Sequence, residues 1–145
     1  MEELIKDLNE LLSDLNVFYR KLQNYHWNVK GKDFFTFHAK LEEYYDEVNE
    51  QIDEIAEHIL TLGYQPLGTM QDYLNLTKIS EAKNEKIDDC LIFKNVKEDM
   101  NIILKKIEEI KKKADEQNVY ITSALMDEYM SSYSKTLWML NQMSQ

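Results

Sequence analysis

Turn-forming residues and cysteine are scarce in this sequence of 145 residues. Its three glycines and one proline are too few for the many tight turns of a β-sandwich or β-barrel. The single cysteine, Cys90, excludes an internal disulfide. Because apolar residues 91–93 follow it, we expect Cys90 to be a small buried side chain. These absences favour an all-α protein.

Basic charge and long apolar runs are also lacking. The 17 Lys and Arg residues stand against 27 Asp and Glu, and the net charge of −10 argues against binding of nucleic acid through bulk charge. No stretch approaches the roughly 20 apolar residues of a membrane span, and the first twelve residues do not resemble a secretory signal. A hydrophobic fraction of 43% is high enough for a folded core. We therefore expect one cytoplasmic domain over residues 1–145, with no membrane partner.

Apolar residues at spacings of three and four mark four long helical segments. On one face of each they are, in order, Leu4, Leu8, Leu11, Leu15, Phe18, Leu22 and Tyr25; Phe37, Leu41, Tyr45, Val48, Ile52, Ile55 and Ile59; Ile92, Val96, Ile103, Ile107, Ile110 and Ala114; and Leu125, Tyr129, Tyr133, Leu137 and Leu140. The second segment runs over about 34–62.

The connections between these segments predict the topology. Short loops at 28–33 and 115–120 join the segments into two hairpins, whereas the connection from 63 to about 88 is long and contains the only proline, Pro66. A short helix is expected near 69–74. Two hairpins joined by one long crossover predict a ferritin-like four-helix bundle, with the short extra helix in the crossover between helices two and three.

Acidic charge is concentrated in the second segment. From Glu42 to Glu57 there are eight acidic residues and no Lys or Arg. Like charges four residues apart disfavour a helix by a few tenths of a kcal/mol per pair. A bound cation would compensate this repulsion, and a solvated acidic face is the alternative interpretation.

Two pairs in this segment, His38 with Glu42 and Asp53 with Glu57, share one helix face. Asp53 lies about 22 Å along the helix from His38, at about 1.5 Å per residue, so the two pairs cannot bind one ion within a single chain. Two such helices packed antiparallel around a twofold axis would bring His38 and Glu42 of one chain to Asp53 and Glu57 of the other. The first hairpin would place His26, at the end of helix one, close to His38.

The chemistry of these residues suits a transition metal. Two imidazoles with carboxylates and open positions fit Fe(II), and also Zn or Mn. For His26 or His38 taken singly, a hydrogen-bonded histidine without a metal is the alternative. No histidine follows a glutamate by three residues, which disfavours the di-iron site inside a single bundle and favours the site between chains.

At these residues the sequence resembles the Dps mini-ferritins. The similar segments are YHWNVKG at 25–31, FFxxH at 34–38, DEIAE at 53–57 and KTLWML at 135–140, with Gly63, Pro66 and Met70 between them. The resemblance covers essentially the whole chain. It implies a hollow homo-dodecamer with ferroxidase centres at twofold interfaces, where His26 and His38 come from one subunit and Asp53 and Glu57 from its neighbour. Glu42 matches a position that assists the site in some members.

The resemblance also implies an activity. Fe(II) would be oxidised there by hydrogen peroxide and stored as Fe(III) mineral, which protects DNA from hydroxyl radicals. Trp27, beside a ligand, is either an electron donor or an anchor of the hairpin corner. Three features depart from the family pattern: His58 stands where Arg is common, Tyr120 and Ala124 stand where acids line iron-entry pores, and neither MEELIKDLNELL nor NQMSQ is a lysine-rich extension.

Three hypotheses follow from the sequence. The leading one is an iron-storing ferroxidase. The second is a DNA-binding, DNA-compacting architectural protein of the same family, against which the net charge of −10 argues. The third is a helical scaffold with a vestigial metal site.

Overall fold

Four long helices and one short helix form the protein in this computed structural model, which describes residues 1–143. Residues 144 and 145, the end of the expected domain and of the C-terminal NQMSQ segment, lie outside the described residues. The elements are α1 (Glu2–Asn28), β1 (Val29–Lys30), α2 (Phe34–Thr61), α3 (Met70–Leu76), β2 (Ile87–Asp88), α4 (Asp89–Glu116) and α5 (Tyr120–Asn141).

The expected ferritin-like topology is confirmed. Helices α1 and α2 form one hairpin, α4 and α5 form the other, and α3 lies in the long crossover between them. The short helix begins at Met70 because Thr69 caps it, accepting a hydrogen bond from the backbone N–H of Asp72 at 3.2 Å. Its last residue is Leu76, two residues beyond the predicted end.

A two-residue parallel pairing of β1 with β2 was not predicted, because such short strands show no periodicity. Val29 pairs with Ile87 and Lys30 with Asp88. This pairing ties the end of the crossover to the α1–α2 loop. Beside it, Gly31 has a φ of +143°, and a Cβ at this position would clash with the carboxylate of Asp89.

The core is built from the predicted apolar stripes. All seven stripe residues of α1 and all six of α4 are buried, as are the four stripe residues of α5 from Tyr129 onward; Leu125 is only partly buried. Helix α1 contacts α2, α3 and α4, so its stripe forms the centre of the bundle. Burial of these side chains is the main stabilising contribution to the fold.

Polar side chains join α2 to α5. The Tyr129 hydroxyl donates to Oε1 of Glu54 at 2.5 Å, and the Tyr133 hydroxyl donates to Oε1 of Gln51 at 2.6 Å. Ser132 donates to Glu47 at 2.7 Å. Two acids of the acidic segment, Glu47 and Glu54, are therefore hydrogen-bond acceptors within the subunit. Burial raises the pKa of Tyr129, and the neighbouring Glu54 carboxylate raises it further.

The prediction for Cys90 was wrong, since its side chain is exposed. The buried face at the start of α4 contains Asp89, Ile92, Phe93 and Val96. Cys90 lies off that face because successive helical residues are rotated by about 100°. Its backbone N–H donates to Oδ1 of Asp89 at 2.7 Å, and the Asp89 side chain raises the pKa of the thiol.

Over the part of the chain that the structure describes, no helix is both long enough and apolar enough to span a membrane.

Candidate metal centre

Two histidines meet at the α1–α2 hairpin, as the sequence predicts. His26 lies in the last turn of α1 and His38 in the second turn of α2. Their imidazole rings are stacked, with centroids 3.7 Å apart and planes inclined by 11°. His26 is buried, with 6% of its surface exposed, and His38 is half-buried.

A reciprocal pair of hydrogen bonds fixes both rings. Nδ1 of His26 lies 2.7 Å from the carbonyl oxygen of His38, and Nδ1 of His38 lies 2.8 Å from the carbonyl oxygen of His26. A carbonyl oxygen only accepts, so each Nδ1 carries a proton and donates it. The His26 carbonyl belongs to the last turn of α1, where backbone acceptors lack helical partners.

This arrangement selects the form of histidine that binds metals. With a proton on Nδ1, each neutral imidazole presents an unprotonated Nε2 lone pair. Hydrogen bonding of the other ring nitrogen to a backbone carbonyl is the usual way in which a protein orients a histidine ligand. The local geometry of His26 and His38 therefore fits a pair of metal ligands.

Glu42 joins the histidines from the next turn of α2. Its Oε1 lies 3.6 Å from Nε2 of His26, and its side chain is 54% exposed. A carboxylate oxygen therefore lies beside the histidines at the edge of the site that is open to the surface. Sequence reasoning paired Glu42 with His38 by spacing, and the structure shows that it approaches His26.

Two aromatic side chains enclose the histidines, and sequence reasoning did not assign them to the site. The Tyr45 ring packs edge-on against His26, with centroids 5.4 Å apart and an interplanar angle of 83°. The Phe34 ring stacks on His38 at 4.9 Å. Helical spacing could have found both, because Tyr45 follows Glu42 by three residues and Phe34 precedes His38 by four.

Asp53 and Glu57 do not reach this centre within one chain. Both lie on the same uninterrupted helix α2 as His38, about 22 Å farther along for Asp53 at about 1.5 Å per residue. Both side chains are exposed. Among the residues that the structure describes, no three His, Cys, Asp or Glu side chains of a single chain are arranged to hold a metal ion.

The departures from the family pattern have structural counterparts. His58 lies beside Thr122 of α5, with Nε2 and Oγ1 2.8 Å apart, so a neutral hydrogen bond stands where an arginine is common. Burial lowers the pKa of His58. Tyr120, at the start of α5, is 73% exposed.

Comparisons with known proteins agree with this architecture. A family model described as a ferritin-like domain matches residues 5–145. The chain is 39% identical over 141 residues to DNA protection during starvation protein 2 of Bacillus anthracis, covering 96% of this chain and 94% of the relative. It is 34% identical over 133 residues to the DNA protection during starvation protein of Helicobacter pylori, covering 92% of each.

A solved structure shows the same likeness in three dimensions. The Dps protein of Vibrio cholerae O1, described as a member of a broad superfamily of ferritin-like diiron-carboxylate proteins, superimposes with a TM-score of 0.96 at 38% identity. The match covers 99% of this chain and 90% of that one. These likenesses extend over nearly the whole length of each protein. The chain therefore belongs to the Dps family of ferritin-like proteins.

Proposed function

We propose that the protein is an iron-storing ferroxidase that oxidises Fe(II) with hydrogen peroxide at sites shared between two subunits. The observation that carries the proposal is the stacked histidine pair. Two backbone carbonyls hold both Nδ1 protons, so both Nε2 lone pairs are available, and a carboxylate lies 3.6 Å from one of them.

The reaction follows from the redox stoichiometry. One hydrogen peroxide accepts two electrons and two protons to give two waters, and two Fe(II) ions supply the electrons as they become Fe(III). Because both electrons come from iron, no hydroxyl radical is released. Neutral imidazoles with carboxylates suit Fe(II) as the substrate. The Fe(III) product would be stored as mineral.

We propose that Asp53 and Glu57 of a neighbouring subunit complete the centre in a homo-dodecamer. Both carboxylates are exposed on α2, far from the histidines of their own chain, and a twofold axis would pair each end of α2 with the other end of its copy. Large apolar side chains near the site support an interface there, since Trp27 is 55% and Phe35 86% exposed.

Protection of DNA would then be chemical. The relatives' names refer to DNA protection, and a protein that removes Fe(II) and peroxide would protect DNA without binding it. The net charge of −10 opposes binding to a polyanion. A plasmid gel shift at low salt tests this point, and retardation that added salt abolishes would favour the DNA-compacting alternative. The cytoplasm is the proposed compartment, because one cysteine forms no internal disulfide.

The direct test measures peroxide-dependent Fe(II) oxidation together with particle mass. We expect a dodecamer that consumes two Fe(II) per peroxide, and loss of this activity in the double variant His26→Ala/His38→Ala. His58→Gln is the matched control, because it removes the third histidine and keeps a hydrogen-bonding group toward Thr122. Unchanged oxidation in the double variant would refute the site, and an inactive wild-type monomer would refute the whole proposal.

A further inference from the structure

A polar pocket lies between α1, α4 and the crossover, which is tied to the bundle on both sides of the pocket. On one side, Oδ1 of Asp14 accepts hydrogen bonds from Thr77 and from the Lys78 backbone N–H. On the other side, β2 pairs with β1. Between these two ties, residues from 80 to 87 cover a pocket of about 470 Å³. This volume lies within the range of small-molecule sites in proteins.

A buried ion pair forms part of the pocket wall. Nζ of Lys21 lies 2.8 Å from Oδ2 of Asp99, and the two side chains are 8% and 9% exposed. An ammonium has three donors and a carboxylate has about four acceptor positions, so this contact leaves both groups able to bond further. Burial raises the pKa of Asp99, although Lys21 opposes the shift. The lysine alone therefore does not offset the burial of the carboxylate.

The other charged side chains of the wall decide which class of ligand fits. Those that line the pocket beside the ion pair are of both signs, namely Lys78, Lys83, Glu81, Glu85 and Glu98. An anion would face the carboxylates, and a cation would face the ammonium groups. An apolar molecule would cover the buried ion pair without offering it polar partners, which is costly. A zwitterion offers a partner to each sign of charge.

We propose that this pocket binds a free amino acid with an apolar side chain. The ligand carboxylate pairs with the Lys21 ammonium, and the ligand ammonium pairs with the Asp99 carboxylate. Four charges of alternating sign then lie side by side, so each has opposite charges as neighbours. The apolar side chain of the ligand packs against Leu91 and Ile102, which also line the pocket. None of these residues belongs to the histidine centre, so the inference does not depend on the proposed ferroxidase function.

The test adds valine, leucine, isoleucine and methionine, one at a time, to the assembled protein and follows binding by saturation-transfer difference NMR. We expect at least one of the four to bind. Its decarboxylated amine and its deaminated acid, which each lack one of the two charges, should bind at least about tenfold more weakly, because each loses charge-assisted hydrogen bonds. Absence of binding by all four amino acids would overturn the inference, as would an amine or acid analogue that binds as tightly as its parent.

Two variants place the ligand in the pocket. Lys21→Met/Asp99→Leu removes both charges together, so that neither is left buried alone. Leu91→Trp enlarges a side chain of the wall that is 47% exposed and leaves the ion pair in place. Each should weaken binding at least about tenfold. If the double variant does not fold, Leu91→Trp decides alone.

The matched control is Leu74→Trp on α3, since Leu74 is 44% exposed and does not line the pocket. Particle mass and the thermal midpoint report whether each variant is folded and assembled. Binding that survives unchanged in either folded pocket variant would overturn the site, and so would an equal loss of binding in Leu74→Trp. Iron takes no part in this measurement, so its failure leaves the proposed function untouched.

Discussion

A mixed assembly tests whether the metal centre is shared between chains. One parent chain carries His26→Ala/His38→Ala and the other carries Asp53→Asn/Glu57→Gln, and each parent alone should be inactive. His38 and Asp53 lie about 22 Å apart along α2, so in the proposed assembly a site takes its two halves from different chains. When equal amounts of the two parent chains assemble at random, half of the histidine pairs and half of the Asp53/Glu57 pairs in the particle are intact. Independent pairing then restores about one quarter of the sites.

The assay compares Fe(II) oxidation rates of the two parents, the wild type and the mixed particle, co-assembled from denatured chains and purified through two different tags. We expect the mixed particle to recover about a quarter of the wild-type rate per subunit, since each intact site functions alone. A control mixture of separately assembled parents should stay inactive. Activity of the mixed particle no higher than that of the parents would refute the intersubunit geometry, as would full activity in the acid variant alone.

Three further substitutions, two at Asp14 and one at Gly31, test how the crossover is held. Oδ1 of the buried Asp14 accepts hydrogen bonds from Thr77 Oγ1 at 2.7 Å and from the Lys78 backbone N–H at 2.8 Å, so Asp14→Ala should cost about 1–3 kcal/mol in urea unfolding. Burial raises the pKa of Asp14, so the wild type loses stability as the pH rises through that pKa and the buried carboxyl becomes charged. Asp14→Asn carries no charge, so it should lack this loss and be at least as stable as the wild type at neutral pH. An Asn variant as unstable as the Ala variant would contradict this. Gly31→Ala places a Cβ against the buried Asp89 carboxylate at a φ of +143° and should cost about 1–3 kcal/mol; an unchanged thermal midpoint would refute the strain.

Sequence periodicity predicted the helices and their pairing because each long helix buries one regular stripe. The proximity of His26 to His38 followed from the short loop between them. Their stacking and the exchange of Nδ1 hydrogen bonds did not follow, because they depend on side-chain rotamers and on which backbone carbonyls the hairpin leaves within reach. Cys90 was misplaced because an apolar neighbourhood in sequence spans several faces at the start of a helix.

The roles of the acidic residues of α2 could be told apart only in the structure, because these residues lie on two faces of the helix. At about 100° of rotation per residue, the centres of the two faces lie roughly 140° apart around the helix axis. The first face carries the metal candidates, which are His38, Glu42, Asp53 and Glu57. The second faces α5 and carries the hydrogen-bonding residues Glu47, Gln51, Glu54 and His58.

This division separates acids that bond to α5 from acids that are metal-ligand candidates. Glu54 accepts a hydrogen bond from the Tyr129 hydroxyl of its own subunit, and this bond joins α2 to α5. Glu57 is exposed, and it is the acid that the proposed intersubunit site assigns to a neighbouring chain. Three residues along one helix thus separate an acid that bonds to α5 from an acid that the proposed site pairs with a neighbour's histidines. A count of acids along the sequence could not make that distinction, because it requires knowing which face of α2 meets α5.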